Sequence, residues 1–453
     1  MVSVQPIGAQ RKVLVCAFAC GADPAAKFFG GGDTMAWNII RRLGRVHRLW
    51  VLTAAQNRKR IEAGLEKDPL PDVHFVYVDL PAGLHRLLSW PGGIQLYAYI
   101  WQWRAYFVAR RLHKGTGFDA FHHLTYENDW MASPTGALLP VPYLRGPGGG
   151  AHRTPDEFAR RYPLRDRLWE RIRTMGQWIF RHDPFFILGQ HRAKGILVCN
   201  QEALDAMPER WRHKARLFPV NGVPPEAFRE NDYQAGVPGR FHIVAAGRLV
   251  RLKAFDLAIR AFAHFVERVC PAASADEVSL SIIGEGPEGE RLEVLARGLG
   301  LDGLVRFAGW MPRAELWARM RSSDIFFFPS LRDGGGAVVI EAMAAGNPIV
   351  CVDLGGSGMH VRAECGVKVK PKTPEQVISD LSAALEMLYR HPELRRRMGS
   401  AARLRAERIY LWDVLAEVLL DVYQDAFGSR RERGPVPHPG SETRARHIPE
   451  ITT

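Results

Sequence analysis

The chain has 453 residues, 47% of them apolar and 24% charged, which suggests two or three domains and excludes a wholly disordered or fibrous protein. Its formal net charge is +13, and residues 1–220 hold 31 Lys and Arg against 18 Asp and Glu, so the whole excess lies in the first half. A basic half beside a neutral one points to an anionic partner, membrane or lipid phosphate, or to a surface tuned for solubility; nucleic acid is disfavoured, because no helix-turn-helix, RNP or zinc-finger pattern accompanies the charge.

Residues 1–11 are short and polar, and the apolar run that follows reads as a buried strand over 13–19 rather than a signal peptide. Further strands are expected at 48–53, 74–79, 120–123, 143–145 and 195–199, with helices at 33–42, 95–113 and 164–181. The aromatic stretch 94–108 is too short to span a bilayer, and the aromatic–basic run 90–114 around it reads as a buried helix with a basic end in preference to a membrane-surface helix. Residues 221–240 are rich in Pro, Gly and charge and read as an interdomain linker. The alternation restarts with strands at 241–246, 279–283, 305–307, 325–329 and 348–353, and helices at 254–269, 287–298, 313–321 and 336–345.

This pattern predicts two doubly wound α/β domains in tandem, each with a parallel sheet and a cleft at the carboxyl ends of its strands. The expected organisation is a first domain over 1–220, the linker, a second domain over 241–405, a C-terminal helix over 406–427 returning toward the first domain, and a disordered tail over 428–453. Six scattered cysteines without a C-x-x-C pair favour a reducing, cytoplasmic setting.

Three segments carry candidate chemistry. After the strand 241–246, Gly247 opens a turn that places Arg248 and Lys253 where two cations can clamp a diphosphate. Gly284-Glu-Gly286-Pro287 opens a helix after a strand, and its glycines permit close backbone approach. Asp333-Gly-Gly335-Gly336-Ala337-Val338 leads from a strand into a helix whose free N–H groups suit phosphate. Glu341 follows eight positions after Asp333, so an acid stands on each side of that phosphate site. In the first half, Gly30-Gly31-Gly32-Asp33 and Gly146-Pro-Gly-Gly-Gly150 follow strands and are expected to face the cleft.

The series Gly247-Arg248…Lys253, Gly284-x-Gly286-Pro287, Phe307-x-Gly309, and Asp333-x7-Glu341 followed by Ala-Met-Ala-Ala-Gly-x-Pro348 resembles the donor domain of family-4 glycosyltransferases. Those enzymes are retaining, use nucleotide sugars, and have the GT-B fold of two Rossmann-like domains facing a central cleft. Trp37-Asn38, His122-His123-Leu-Thr125 and Tyr410-Leu-Trp-Asp413 resemble a bacterial branch associated with polysaccharide assembly.

The resemblance implies transfer of a sugar from a UDP- or GDP-sugar to a hydroxyl of a glycan or lipid-linked acceptor, without a metal or other cofactor. It implies that Arg248 and Lys253 neutralise the donor diphosphate and that Asp333 binds donor sugar hydroxyls. Glu341 would bind the ribose; Gly247, Gly335, Gly336, Ala337 and Val338 would lie against the phosphates; Gly31 and Gly32 would approach the donor phosphate or the acceptor; Gly284, Gly286 and Met311 would lie near the base. A histidine at 122 or 123, with His123 favoured, would meet the sugar. The chain departs from the family in having Asp333 for the usual Glu and Gly335 for the usual Phe. The rival readings are another GT-B enzyme, such as a nucleotide-sugar epimerase or a phosphorylase, and a non-catalytic nucleotide-sugar-binding protein. An anionic membrane surface is expected to meet the first half, with Arg110, Arg111 and Lys114 as its candidate residues.

Overall fold

A computed structural model describes residues 10–21, 31–90, 92–125, 128–150, 152–228 and 240–428. Most of the expected linker and nearly all of the expected tail lie outside them. The first sheet contains β1 (Lys12–Ala17), β2 (Arg48–Ala54), β3 (Val73–Val78), β4 (Ala120–Thr125), β5 (Tyr143–Gly148), β6 (Ala193–Val198) and β7 (Ala215–Leu217). The second contains β8 (Phe241–Ala246), β9 (Val278–Ile283), β10 (Val305–Gly309), β11 (Ile325–Phe328), β12 (Ile349–Val352) and β13 (Gly366–Val369). Their spatial orders are 3-2-1-4-5-6-7 and 10-9-8-11-12-13, and every pairing is parallel.

The strands carry few polar residues because helices cover both faces. Val13–Ala17 and Ile325–Phe328 are wholly buried, as parallel strands between two helical layers require. The order of each sheet reverses beside its first strand, between β1 and β4 and between β8 and β11. Those two crevices are where a doubly wound sheet opens to a ligand.

The helix Gly93–Thr116 buries Tyr97, Ala98, Trp101, Gln102, Ala105 and Ala109 against the first sheet. This is the expected buried helix, and Arg110, Arg111 and Lys114 form its exposed end. The chain passes between the two units at Val223 and again at Leu411. The two passes pair with each other, Val223 N–H donating to Tyr410 O at 2.8 Å and Trp412 N–H to Val223 O at 3.3 Å. The helix Trp412–Phe427 then joins the core of the first unit through Trp412, Leu415, Leu419 and Tyr423. Arg42 holds its start by an ion pair to Asp413 at 2.6 Å.

Candidate active site

The two crevices open onto one cleft of about 670 Å³. From the first unit it is lined by Ala19 beyond β1, Thr125 at the end of β4, Gly149, Gly150 and His152 beyond β5, and Cys199 beyond β6. From the second it is lined by Gly247, Arg248 and Lys253 beyond β8, by Phe328 at the end of β11, and by Asp333, Gly334, Gly335, Ala337 and Val338 beyond it.

The turn after β8 is built on close backbone contact. Gly284 has φ +134°, and a Cβ there would sit 2.0 Å from Gly247 O. Only glycine lets the β9 turn lie against the β8 turn, and Gly286 does the same against Leu249 O. So braced, the β8 turn exposes Arg248, which enters no ion pair among the described residues. Lys253 follows at the foot of the turn, immediately before Ala254, whose φ is +50°. A left-handed alanine is an uncommon conformation, and here it ends the turn at the lysine and starts the helix Phe255–Val269.

Lys253 is not a free cation. Its Nζ donates to Asp333 Oδ2 in a tight ion pair. The other oxygen, Asp333 Oδ1, accepts from the amides of Gly335 at 3.1 Å and Gly336 at 2.7 Å. Burial pushes the Asp333 carboxyl upward, but Lys253 and the Gly336 amide outweigh it and hold the group below the usual carboxylate range. The carboxylate therefore closes the loop that leads into the helix Ala337–Ala344. It takes two of the amides expected to hold phosphate and leaves those of Ala337 and Val338, among the unpartnered first amides of a helix, lining the cleft.

The loop between Asp333 and the helix is gripped from the first unit. Asn200 Nδ2 donates to Gly334 O and Asn221 Nδ2 to Gly335 O, each at 2.9 Å. A Cβ on Gly335 would meet both Asn221 Nδ2 and Val220 Cγ2 at 2.3 Å. The space that a larger residue would need at 335 is filled by Val220 and Asn221.

His152 stands opposite this loop, its ring 3.2 Å from where a Cβ on Gly334 would lie. Burial, with Arg332 next, pushes its pKa down to about 4 against a smaller opposing pull from Asp333, so the imidazole is neutral. Its Nδ1 is buried without a hydrogen-bond partner.

Residues 229–405 match the family described as glycosyl transferases group 1. This segment is a group 1 glycosyltransferase domain. The chain is also 33% identical over 268 residues to a D-inositol 3-phosphate glycosyltransferase of Streptomyces bingchenggensis, covering 54% of this chain and 57% of that protein. A D-inositol 3-phosphate glycosyltransferase of Kribbella flavida is 32% identical over 262 residues, 54% of this chain and 60% of that protein. The chain thus spans little more than half the length of these relatives. Among solved structures, sucrose-phosphate synthase from Thermosynechococcus elongatus superposes with a TM-score of 0.63 at 18% identity over 92% of this chain and 99% of that one. Anabaena HepE in complex with UDP superposes with a TM-score of 0.60 at 16% identity over 92% of this chain and all of that one. Both likenesses extend the GT-B fold over the two units.

Within the glycosyltransferase domain, the cleft gathers Gly247, Arg248, Lys253, Asp333, Gly335, Ala337 and Val338, joined by Gly32 from the first unit. Gly31 opens the helix Gly31–Leu43 that carries Gly32, and Gly336 is its counterpart at the start of Ala337–Ala344, with φ +54°. Other expected residues are not brought into the cleft lining. Glu341 is buried and bonded to Arg313 Nε at 3.0 Å; burial raises its pKa and Arg313 opposes this. Gly284 and Gly286 serve turn packing, and Met311 packs against the hydrophobic cluster around Phe326 and Phe328.

Neither histidine of the 122–123 pair lines the cleft. His122 is held between Gly146 O at 2.6 Å and Tyr423 Oη at 2.8 Å. His123 is 6% exposed and contacts Gln102 Nε2 at 3.2 Å. Both are core histidines because β4 is buried along its whole length. The histidine that does reach the cleft, His152, was not singled out in the sequence. Its only signal there is its place two residues after the Gly146–Gly150 run.

Proposed function

We propose that the protein transfers a sugar from a nucleoside diphosphate donor to a hydroxyl of a glycan or lipid-linked acceptor, with retention at the anomeric carbon and without a divalent ion. The observation that carries this reading is Arg248, an exposed cation beyond β8 with no ion pair among the described residues, which lines the same cleft as Ala337 and Val338 at the start of a helix. A diphosphate bound there meets a bidentate donor and a helix N-terminus together. The bond from the anomeric carbon to the β-phosphate oxygen breaks, and the bond to the acceptor oxygen forms on the same face. The acceptor proton passes to the departing phosphate oxygen. Arg248 and the helix amides stabilise the charge on that oxygen, with Lys253 beside Asp333 adding to the field. Neutral His152 stands on the cleft wall beside the Asp333–Gly335 loop, where its ring borders the bound donor.

The names of similar proteins support the donor and acceptor classes. The curated relatives are glycosyltransferases acting on inositol phosphate, and HepE holds UDP and glucose. WaaG, of TM-score 0.58, is described as involved in lipopolysaccharide biosynthesis. On this reading the protein works on the cytoplasmic side of the membrane in assembly of a cell-surface polysaccharide. One observation favours a second reading, a nucleotide-sugar-binding protein without transfer: both oxygens of Asp333 are already engaged.

A thermal-shift screen of UDP- and GDP-sugars, followed by transfer assays with EDTA, separates these readings. A ligand at 100 times its Kd stabilises by about 2.7 kcal/mol. The proposal expects one donor to stabilise the protein and to be turned over in EDTA. Binding without turnover or hydrolysis supports the second reading. Activity lost to EDTA and restored by Mg²⁺ or Mn²⁺ overturns metal independence.

A further inference from the structure

The helix Leu164–Arg181 is amphipathic in the reverse sense to Phe255–Val269: the latter buries only apolar residues, whereas the former buries Gln177. Its polar face points inward. Asp166 pairs with Arg251 at 2.9 Å, Glu170 with Arg332 at 2.8 Å and with Arg173 at 3.0 Å, and Gln177 Nε2 donates to Gly150 O at 3.0 Å. These four residues, spaced i, i+4, i+7 and i+11, form one stripe that rests on the lips of the cleft.

The opposite stripe is Leu164, Leu168, Ile172, Met175 and Ile179, and these side chains are between 44% and 79% exposed. Trp169 and Trp178 flank it, also exposed. Seven of the fifteen exposed large hydrophobic residues among the described residues thus lie on this one helix. Arg165, Arg167 and Arg171 edge the stripe, and Arg153 stands beside Arg167, Arg171, Met175 and Trp178 around a shallow depression of about 640 Å³. None of these four arginines enters an ion pair among the described residues. Both acids of the helix are turned inward and paired.

We propose that this helix lies in the surface of an anionic lipid bilayer, its apolar stripe among the acyl chains and its arginines on lipid phosphates. The charge pattern selects this occupant. A second copy of the chain would set unpaired arginines against unpaired arginines, whereas a sheet of lipid phosphates complements them. Tryptophans at the edges and arginines on flexible stems suit a boundary that is apolar below and charged above. Because the inner stripe holds Arg332, the neighbour of Asp333, and Arg251, two residues from Lys253, the docked helix sets the cleft mouth at the membrane surface. The inference rests on the helix and not on the transferase reading, which it extends by naming a lipid-phosphate surface as the place of the acceptor.

Flotation of the full chain with phosphatidylcholine vesicles, with and without phosphatidylglycerol, tests it. Wild type is expected to float with the anionic vesicles, to do so less in high salt, and to show blue-shifted tryptophan emission. Joint replacement Leu168→Glu, Ile172→Glu and Met175→Glu is expected to reduce the bound fraction about tenfold or more, since interfacial binding scales with buried apolar area. Arg110→Glu, Arg111→Glu and Lys114→Glu together are expected to change it far less. A nucleotide-sugar thermal shift equal in wild type and the stripe variant shows that the fold and the donor site are intact. Equal flotation of the stripe variant, or no binding of wild type to anionic vesicles, overturns the proposal. So does a wild-type dimer that the stripe variant dissolves while neither protein floats.

Discussion

The two walls of the cleft invert the charge of the halves that build them. Residues 1–220 carry the whole +13 excess, yet among the described residues that line their wall there is no lysine or arginine: Asp33 is paired with Arg60 at 3.5 Å, and His152 is neutral. The neutral half supplies both cations, Arg248 and Lys253. Net charge therefore says little about the site. The first half spends its arginines on outer surfaces, above all along Leu164–Arg181, while the second places two cations at the ends of its strands.

The sharpest test of this asymmetry is to remove charge from one wall and polarity from the other. Arg248→Ala is expected to lower the transfer rate by about 10²–10³-fold, as loss of a leaving-group stabiliser does. Asn128, which lines the opposite wall between β4 and β5, gives the counterpart: Asn128→Ala is expected to cost at most about tenfold, the scale of one neutral hydrogen bond. Equal losses from the two walls would break the comparison.

The two cations also differ from each other. Arg248 has no ion pair among the described residues, so its removal is expected to leave stability nearly unchanged. Lys253→Ala strands a buried Asp333 carboxylate and is expected to cost about 3 kcal/mol of stability, with Asp333→Asn in the same chain recovering most of it. Denaturant unfolding of the three variants checks this; an Arg248→Ala protein as unstable as Lys253→Ala would refute the distinction.

The neutral histidines give a pH signature. Burial holds His122, His152 and His360 at about 4 and His123 at about 3. The unfolded chain takes up these protons near pH 6.5, so it binds more protons than the folded state in the window below. Stability is full above about pH 6.5 and falls as pH drops toward 4, by up to about 1.4 kcal/mol per pH unit for each histidine. A melting temperature that stays flat between pH 7 and 5 would contradict this assignment of neutral, buried rings.

The smallest expected effect concerns the contact between the walls. Gly335→Ala places a methyl against Asn221 and Val220, and is expected to destabilise by about 1–3 kcal/mol through overpacking. Val220→Ala in the same chain relieves part of that loss, measured by thermal unfolding. No recovery would mean that the walls do not meet there.

Much of this architecture was legible in the sequence. Buried parallel strands are short apolar runs between turn residues, so β1 to β6 and β8 to β12 stand where the pattern puts them. The exceptions are β7, a three-residue edge, and β13, in which Gly366 and Lys368 break the apolar run that marks β11 and β12. The turn cations were legible because a cation after a strand end has little choice of place. Glu341 and the 122–123 pair were not, because each lies on a buried element and spacing alone does not tell which side of it faces a cleft. The helix over 164–181 shows the same limit: its periodicity predicts an apolar stripe, but not that the stripe faces outward.

The pairing of the two crossings at Val223 and Leu411, and the return of Trp412–Phe427 to the first core, set the order in which this chain is completed. A ribosome delivers the first sheet early, yet His122 waits for the hydroxyl of Tyr423 and the first core for Trp412, Leu415 and Leu419, which emerge only after the whole second unit. Domains fold as units during synthesis, beginning from the N-terminus, but here the second unit is finished before the first. The earlier half spends its synthesis with apolar surface uncovered. It is therefore the half that a chaperone would have to shelter.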